Sequence, residues 1–132
     1  IGLQEMFNAA IHKKTNALDN DGFYPLPKNK GKLIPADLSK YYPKRNKAYE
    51  EIRAICQKNN IHLIAITTPI CINTINRDYF NHIQSVYPEI HNFEDAVVDD
   101  KYFSTCGHMN KDGAVEFTKI VFNAFFKPKT AP

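Results

Sequence analysis

Ile61-His62-Leu63-Ile64-Ala65-Ile66-Thr67, stopped two residues later by Pro69, is the stretch on which the fold turns. The run is nearly continuous in apolar and β-branched residues and shows no polar alternation. That is the pattern of a strand buried on both faces, as in a parallel sheet. Such a strand needs neighbours on its edges and a layer on each face. The rest of the chain is therefore read for helices that cover it and strands that flank it.

Upstream, Ala48, Ile52, Ile55 and Cys56 recur at helical spacing after Pro43, and Asn59-Asn60 ends the run. This predicts a helix with those four residues toward the core. Downstream, residues 75–86 read as a helix with Tyr79, Ile83 and Val86 on one stripe, and residues 89–93 as a short second strand. The last helix, 111–126, places Ala114, Phe117, Val121, Ala124 and Phe125 on one face. At the other end, Leu3, Met6, Phe7, Ala10 and Ile11 predict a helix over residues 1–14. Residues 16–37, rich in Asp, Asn, Gly and Pro, form a long loop with Phe23-Tyr24-Pro25-Leu26 as apolar anchors.

The order helix, loop, helix, strand, helix, strand, helix is an α/β pattern with crossover connections. Residues 1–44 supply the N-terminal helix and loop, and residues 45–126 the α/β portion. Two strands do not make a self-sufficient parallel sheet. A missing N-terminal segment or a second chain is expected to complete it, and a truncated domain is the simpler of the two. The chain opens on Ile1, with no initiator methionine and no signal-peptide pattern, and is read as a piece of a longer protein.

Composition narrows the function classes. The 132 residues suit one domain, and 43% hydrophobic with 23% charged residues is ordinary for a globular protein. The net charge of +3 is spread among acidic residues with no basic stripe, which argues against nucleic-acid binding. No apolar run reaches the ~20 residues of a membrane span. Three cysteines, Cys56, Cys71 and Cys106, with no CxxC spacing argue against a disulfide framework and a structural zinc. Whether Cys71 and Cys106 meet is not readable from their spacing.

The stretch with chemical promise is Asp99-Asp100-Lys101-Tyr102-Phe103-Ser104-Thr105-Cys106-Gly107-His108-Met109-Asn110-Lys111-Asp112-Gly113-Ala114, which runs into the last helix. It sets a histidine on a loop before that helix, where an imidazole, with an ordinary pKa near 6.5, can act as general base. The block resembles the last motif of the SGNH (GDSL-type) hydrolases, where an aromatic-rich loop leads to His-Leu-Asn, a Gly-Ala pair and a final helix. The matching residues are His108-Met109-Asn110, Gly113-Ala114 and Phe117-Thr118. The resemblance implies a flavodoxin-like three-layer α/β/α domain and cleavage of an acyl ester on a carbohydrate or lipid. It implies His108 as general base, no metal or organic cofactor, an ester or glycan ligand, and an extracytoplasmic setting.

Two departures matter. The family's acid stands three residues before the histidine, where this chain has Thr105. A hydroxyl can hold an imidazole tautomer but cannot offset the imidazolium charge; Asp99 or Asp100 would have to substitute. The family's Gly-Asp-Ser block and its oxyanion glycine and asparagine are absent, and Ser39, Ser85 and Ser104 have no nucleophile context. The likeness thus reaches the C-terminal half of such a domain, and the chain as it stands is expected to be inactive. The alternative is a non-catalytic relative that binds a glycan or a protein partner.

The remaining features read structurally. Asn110 is the expected N-cap of the last helix, and Gly113-Ala114 permits its close approach to the sheet. His62, His82 and His91 are not at metal-ligand spacings. Tyr41-Tyr42-Pro43 reads as a hydrophobic lead-in to the helix in preference to a sugar-stacking surface.

Overall fold

Asn46 opens the first helix, α1 (Lys47–Lys58), and its side-chain oxygen accepts the Tyr49 N–H at 3.1 Å. Glu50 in the first turn and Lys58 in the last complement the helix dipole. Asn60, at φ 53°, turns the chain out of the helix in the left-handed conformation that asparagine tolerates. The Ile61 N–H bonds back to the Cys56 carbonyl at 2.8 Å. These observations come from a computed structural model that describes residues 24–127. The helix expected over residues 1–14 and the first part of the long loop lie outside the described residues.

Residues 61–67 pair with one neighbour and over a short length. Ile66 bridges His91 in parallel, with Thr67 N–H to His91 O and His91 N–H to Ala65 O both at 2.9 Å. Ile70 N–H to Glu94 O, at 3.3 Å, carries the contact onward. The expected strand buried on both faces is not what forms among the described residues. Ile61 is 55% exposed, Leu63 36% exposed, and Ile64, Ala65 and Ile66 are half-buried. Ala65 and Thr67 direct their backbone groups at His91. By strand alternation Ile64 and Ile66 point theirs to the opposite edge, where no strand sits among the described residues.

The same absence explains α1. Its stripe of Ala48, Ile52, Ile55 and Cys56 was expected to face the core, yet α1 buries none of its residues, and Ile52 and Ile55 are 49% and 58% exposed. The layer this stripe would cover is not among the described residues.

The second helix, α2 (Tyr79–Val86), starts four residues later than its apolar spacing suggests, because Asn76 takes φ 60° and residues 77–78 form a turn. Beyond it, a short 3-10 turn (Asp100–Tyr102) leads into a hairpin of β1 (Phe103–Thr105) and β2 (His108–Met109). This segment was expected to be a loop. Phe103 stands opposite Met109 and Thr105 opposite His108, antiparallel, around the two-residue turn Cys106-Gly107. The last helix, α3 (Lys111–Phe125), follows at once. A Cβ on Gly113 would overlap the carbonyl oxygen of Tyr102, so only glycine lets α3 sit this close to the turn.

The core gathers Leu33, Cys71, Val97, Phe103, Cys106 and Phe117. Leu33 brings residues 24–36 onto the hairpin, and a second parallel bridge, Asp37 with Ile75, holds the end of that segment. Cys71 and Cys106 form a disulfide with their Cα atoms 4.8 Å apart, a pairing that their spacing left open; Cys56 is free. The described chain is thus a mixed α/β structure, with three helices, a small antiparallel hairpin and two isolated parallel bridges. No helix among the described residues is long and apolar enough to cross a membrane.

Candidate functional site

His108 is the first residue of β2, two positions before the Asn110 that caps α3. Hairpin pairing sets Thr105 directly across from it, and the Thr105 Oγ1 to His108 Nδ1 distance is 2.9 Å. Both residues are exposed. The imidazole opens onto a shallow, mostly apolar cleft of about 410 Å³ lined by Leu26, Pro27, Lys28, Ser104, Thr105 and His108. Cys106, in the turn, accepts the Cys71 N–H at 3.0 Å, and the disulfide joins the same two residues. Cys71 lies just downstream of Thr67, so the hairpin is fastened beyond the C-terminal end of residues 65–67.

The chemistry of the pair depends on which atom carries the proton. If Nδ1–H donates to the Thr105 hydroxyl, the Nε2 lone pair is free to accept a proton, as a general base must. If the hydroxyl donates to Nδ1 instead, Nε2 carries the hydrogen and the ring is not a base. A carboxylate accepts only, and enforces the first arrangement; a threonine permits both.

Neither aspartate replaces the family's acid. Asp99 caps the 3-10 turn, with Oδ1 accepting the Lys101 N–H at 3.0 Å and Oδ2 paired to Lys101 Nζ at 2.9 Å. These contacts with Lys101 hold its carboxyl below the usual carboxylate range. Asp100 begins the turn itself.

Among the described residues, no serine or thiol is left free beside the ring. Ser104 Oγ donates to the carbonyl of Pro27, and Cys106 is in the disulfide. Ser85 donates to its own helix at His82 O, at 2.7 Å. His62, His82 and His91 lie apart, and no group of three metal-ligating side chains gathers among the described residues.

Asn110 anchors the site from below. It is 1% exposed; Oδ1 accepts the Gly113 N–H at 3.1 Å, while Nδ2 donates to Lys101 O at 2.7 Å and Phe103 O at 3.4 Å. Lys28 reaches over to Asp112 in the first turn of α3, at 2.6 Å, and this contact keeps the Asp112 carboxyl below its ordinary range. The charged groove of about 520 Å³ beside it is lined by ions already paired, Lys119 with Glu116 at 3.5 Å and Lys101 with Asp99 outside the groove at 2.9 Å.

Sequence reasoning missed the hairpin and the disulfide behind it. Phe103-Ser104-Thr105, then a two-residue turn ending in Gly107, is a hairpin signal in its own right. The cysteine pairing had no such local mark. Comparison with protein families, with curated proteins and with solved structures finds no match.

Proposed function

We propose that this chain is the histidine-bearing C-terminal part of an SGNH-type ester hydrolase with a three-layer α/β/α sheet, acting on an acyl ester of a carbohydrate or lipid. The observation that carries the reading is the Thr105–His108 contact at 2.9 Å, immediately before a capped helix and beside an apolar cleft. A hydroxyl against Nδ1, three residues before the histidine, supports reading Thr105 as the counterpart of the resembling family's acid. The backbone edge at Ile64 and Ile66, unpaired among the described residues, also supports it, since that edge suits a further strand. In this reading a segment preceding Ile1 supplies that strand and the serine.

The serine attacks the ester carbonyl and gives its proton to His108 Nε2; donors on the missing segment hold the developing oxyanion. His108 then returns the proton to the leaving alcohol, and water repeats the sequence to release the acid. Thr105 orients the ring without neutralising it, so turnover is slow beside an enzyme with an acid there. Replacing the orienting aspartate costs about 10⁴ in a serine protease.

The test uses p-nitrophenyl acetate and two chains. The 132-residue protein should hydrolyse it no faster than free imidazole, and His108→Ala should change nothing. The chain extended by its natural upstream sequence should hydrolyse it, and His108→Ala should remove most of that rate, by a factor of order 10³ or more. Thr105→Asp in the extended chain should raise the rate. An upstream sequence with no serine block, or an extended chain indifferent to His108→Ala, overturns the hydrolase reading. Hydrolysis by the 132-residue protein that disappears in His108→Ala would mean that it carries its own nucleophile.

A further inference from the structure

Away from His108, five tyrosines collect around the start of α1 and the two ends of α2. Tyr41 and Tyr42, read from sequence as a hydrophobic lead-in to the helix in preference to a sugar-stacking surface, are 62% and 70% exposed. Together they leave a large aromatic surface facing water, an arrangement that proteins keep chiefly for contact with a ligand. Tyr42 stands at the mouth of a cleft of about 520 Å³, with Tyr49, Tyr79 and Tyr87 among its walls and Arg45 and Asn46 at its rim.

The cleft is built rather than incidental. Tyr87, 5% exposed, accepts the Asn46 N–H on its hydroxyl at 2.5 Å and donates to Glu50 at 3.3 Å. The Tyr49 and Tyr87 rings meet edge to face at 4.8 Å, and Tyr42 lies 5.2 Å from the His82 ring. Residues 41–46, α1 and α2 are thereby held in register, so a ligand would find the rings already placed.

We propose that this cleft binds a short, uncharged oligosaccharide, stacked on Tyr42. The apolar C–H face of a pyranose packs on a flat ring, while its equatorial hydroxyls need donors and acceptors at the rim of that ring. The Tyr79 hydroxyl can both donate and accept there, and the Asn46 side-chain amide can donate. An anionic ligand would find Arg45 already paired with Glu50 at 2.9 Å, with Lys44 as the other cation lining the cleft. Proline-rich peptides also dock in aromatic grooves, but they present one carbonyl acceptor per residue and no donors, so they would use the tyrosine hydroxyls only as donors. The cleft shares no residue with the His108 cleft, so this inference stands or falls apart from the hydrolase reading.

The test is a ¹H–¹⁵N titration of the 132-residue protein with chitotetraose, cellotetraose and decaproline. One of the two sugars should move the amides of Tyr42, Asn46, Tyr49 and Tyr79 with saturation. Tyr42→Ala should weaken that binding by about tenfold, Tyr42→Phe should retain it, and His108→Ala should leave it unchanged. Tyr42 is exposed, so the variants should keep the parent's amide spectrum elsewhere. The proposal is overturned if neither sugar moves these amides, if binding survives Tyr42→Ala undiminished, or if decaproline alone shifts them.

Discussion

Asn110 uses every polar atom of its side chain, accepting from Gly113 and donating to the carbonyls of Lys101 and Phe103. Only the first of these is an N-cap. Asn110→Asp therefore discriminates between the roles, since aspartate caps a helix as well as asparagine does. It turns the two donated bonds into repulsion between a carboxylate and two carbonyl oxygens. We expect a loss of about 2–4 kcal/mol by urea denaturation at pH 7; a neutral outcome would reduce Asn110 to its cap. Glu94 is the converse case. Its Oε2 is buried with no partner, and burial raises its carboxyl above the ordinary range against the opposing pull of Arg77. A carboxyl raised on folding binds more protons folded than unfolded, so it lowers stability as pH rises through that interval. Glu94→Gln should accordingly raise the melting temperature at pH 7 and leave it unchanged at pH 3, which calorimetry at the two pH values checks.

Among the elements, α1 and residues 61–67 show how a correct pattern can lack its partner. The α1 spacing does produce a helix, capped at Asn46, with Ile52 and Ile55 on one stripe as expected. Helix formation needs only local bonds and a cap, both encoded within twelve residues. What the stripe faces is a tertiary matter, and here it faces outward. Ile55→Lys should then change the stability of the 132-residue chain by no more than about 0.5 kcal/mol, as an exposed substitution does. In the chain extended upstream, if the missing layer covers α1, the same change should cost about 2 kcal/mol or more. Equal small effects in both chains would show that nothing packs on this stripe. The hairpin teaches the reverse lesson. Three residues of β1 and two of β2 are too short for periodicity to reveal, yet they set the Thr105–His108 geometry.

For the molecule as a whole, the link between Cys71 and Cys106 spans 35 positions and joins the segment after Thr67 to the turn that carries His108. Closing a loop of that length constrains the unfolded chain and is worth about 3–4 kcal/mol. Cys71→Ser with Cys106→Ser should lose that amount in a denaturation curve and broaden the His108 and Thr105 amides. Unreduced, denatured protein should present one alkylatable thiol, Cys56, and reduced protein three; three thiols without reductant would remove the disulfide from this account. The sequence by itself determined what depends on neighbours along the chain: the α1 helix, the Asn110 cap of α3, the glycine at 113, and a histidine just ahead of the last helix. These follow from side-chain spacing and local hydrogen bonds. Tertiary structure decided which cysteines pair, that Ser104 is tied to Pro27, that Tyr42 stands in solvent, and that residues 61–67 keep an open edge. Those outcomes rest on contacts between segments tens of residues apart, and an apolar run states that it is to be buried without stating what will bury it.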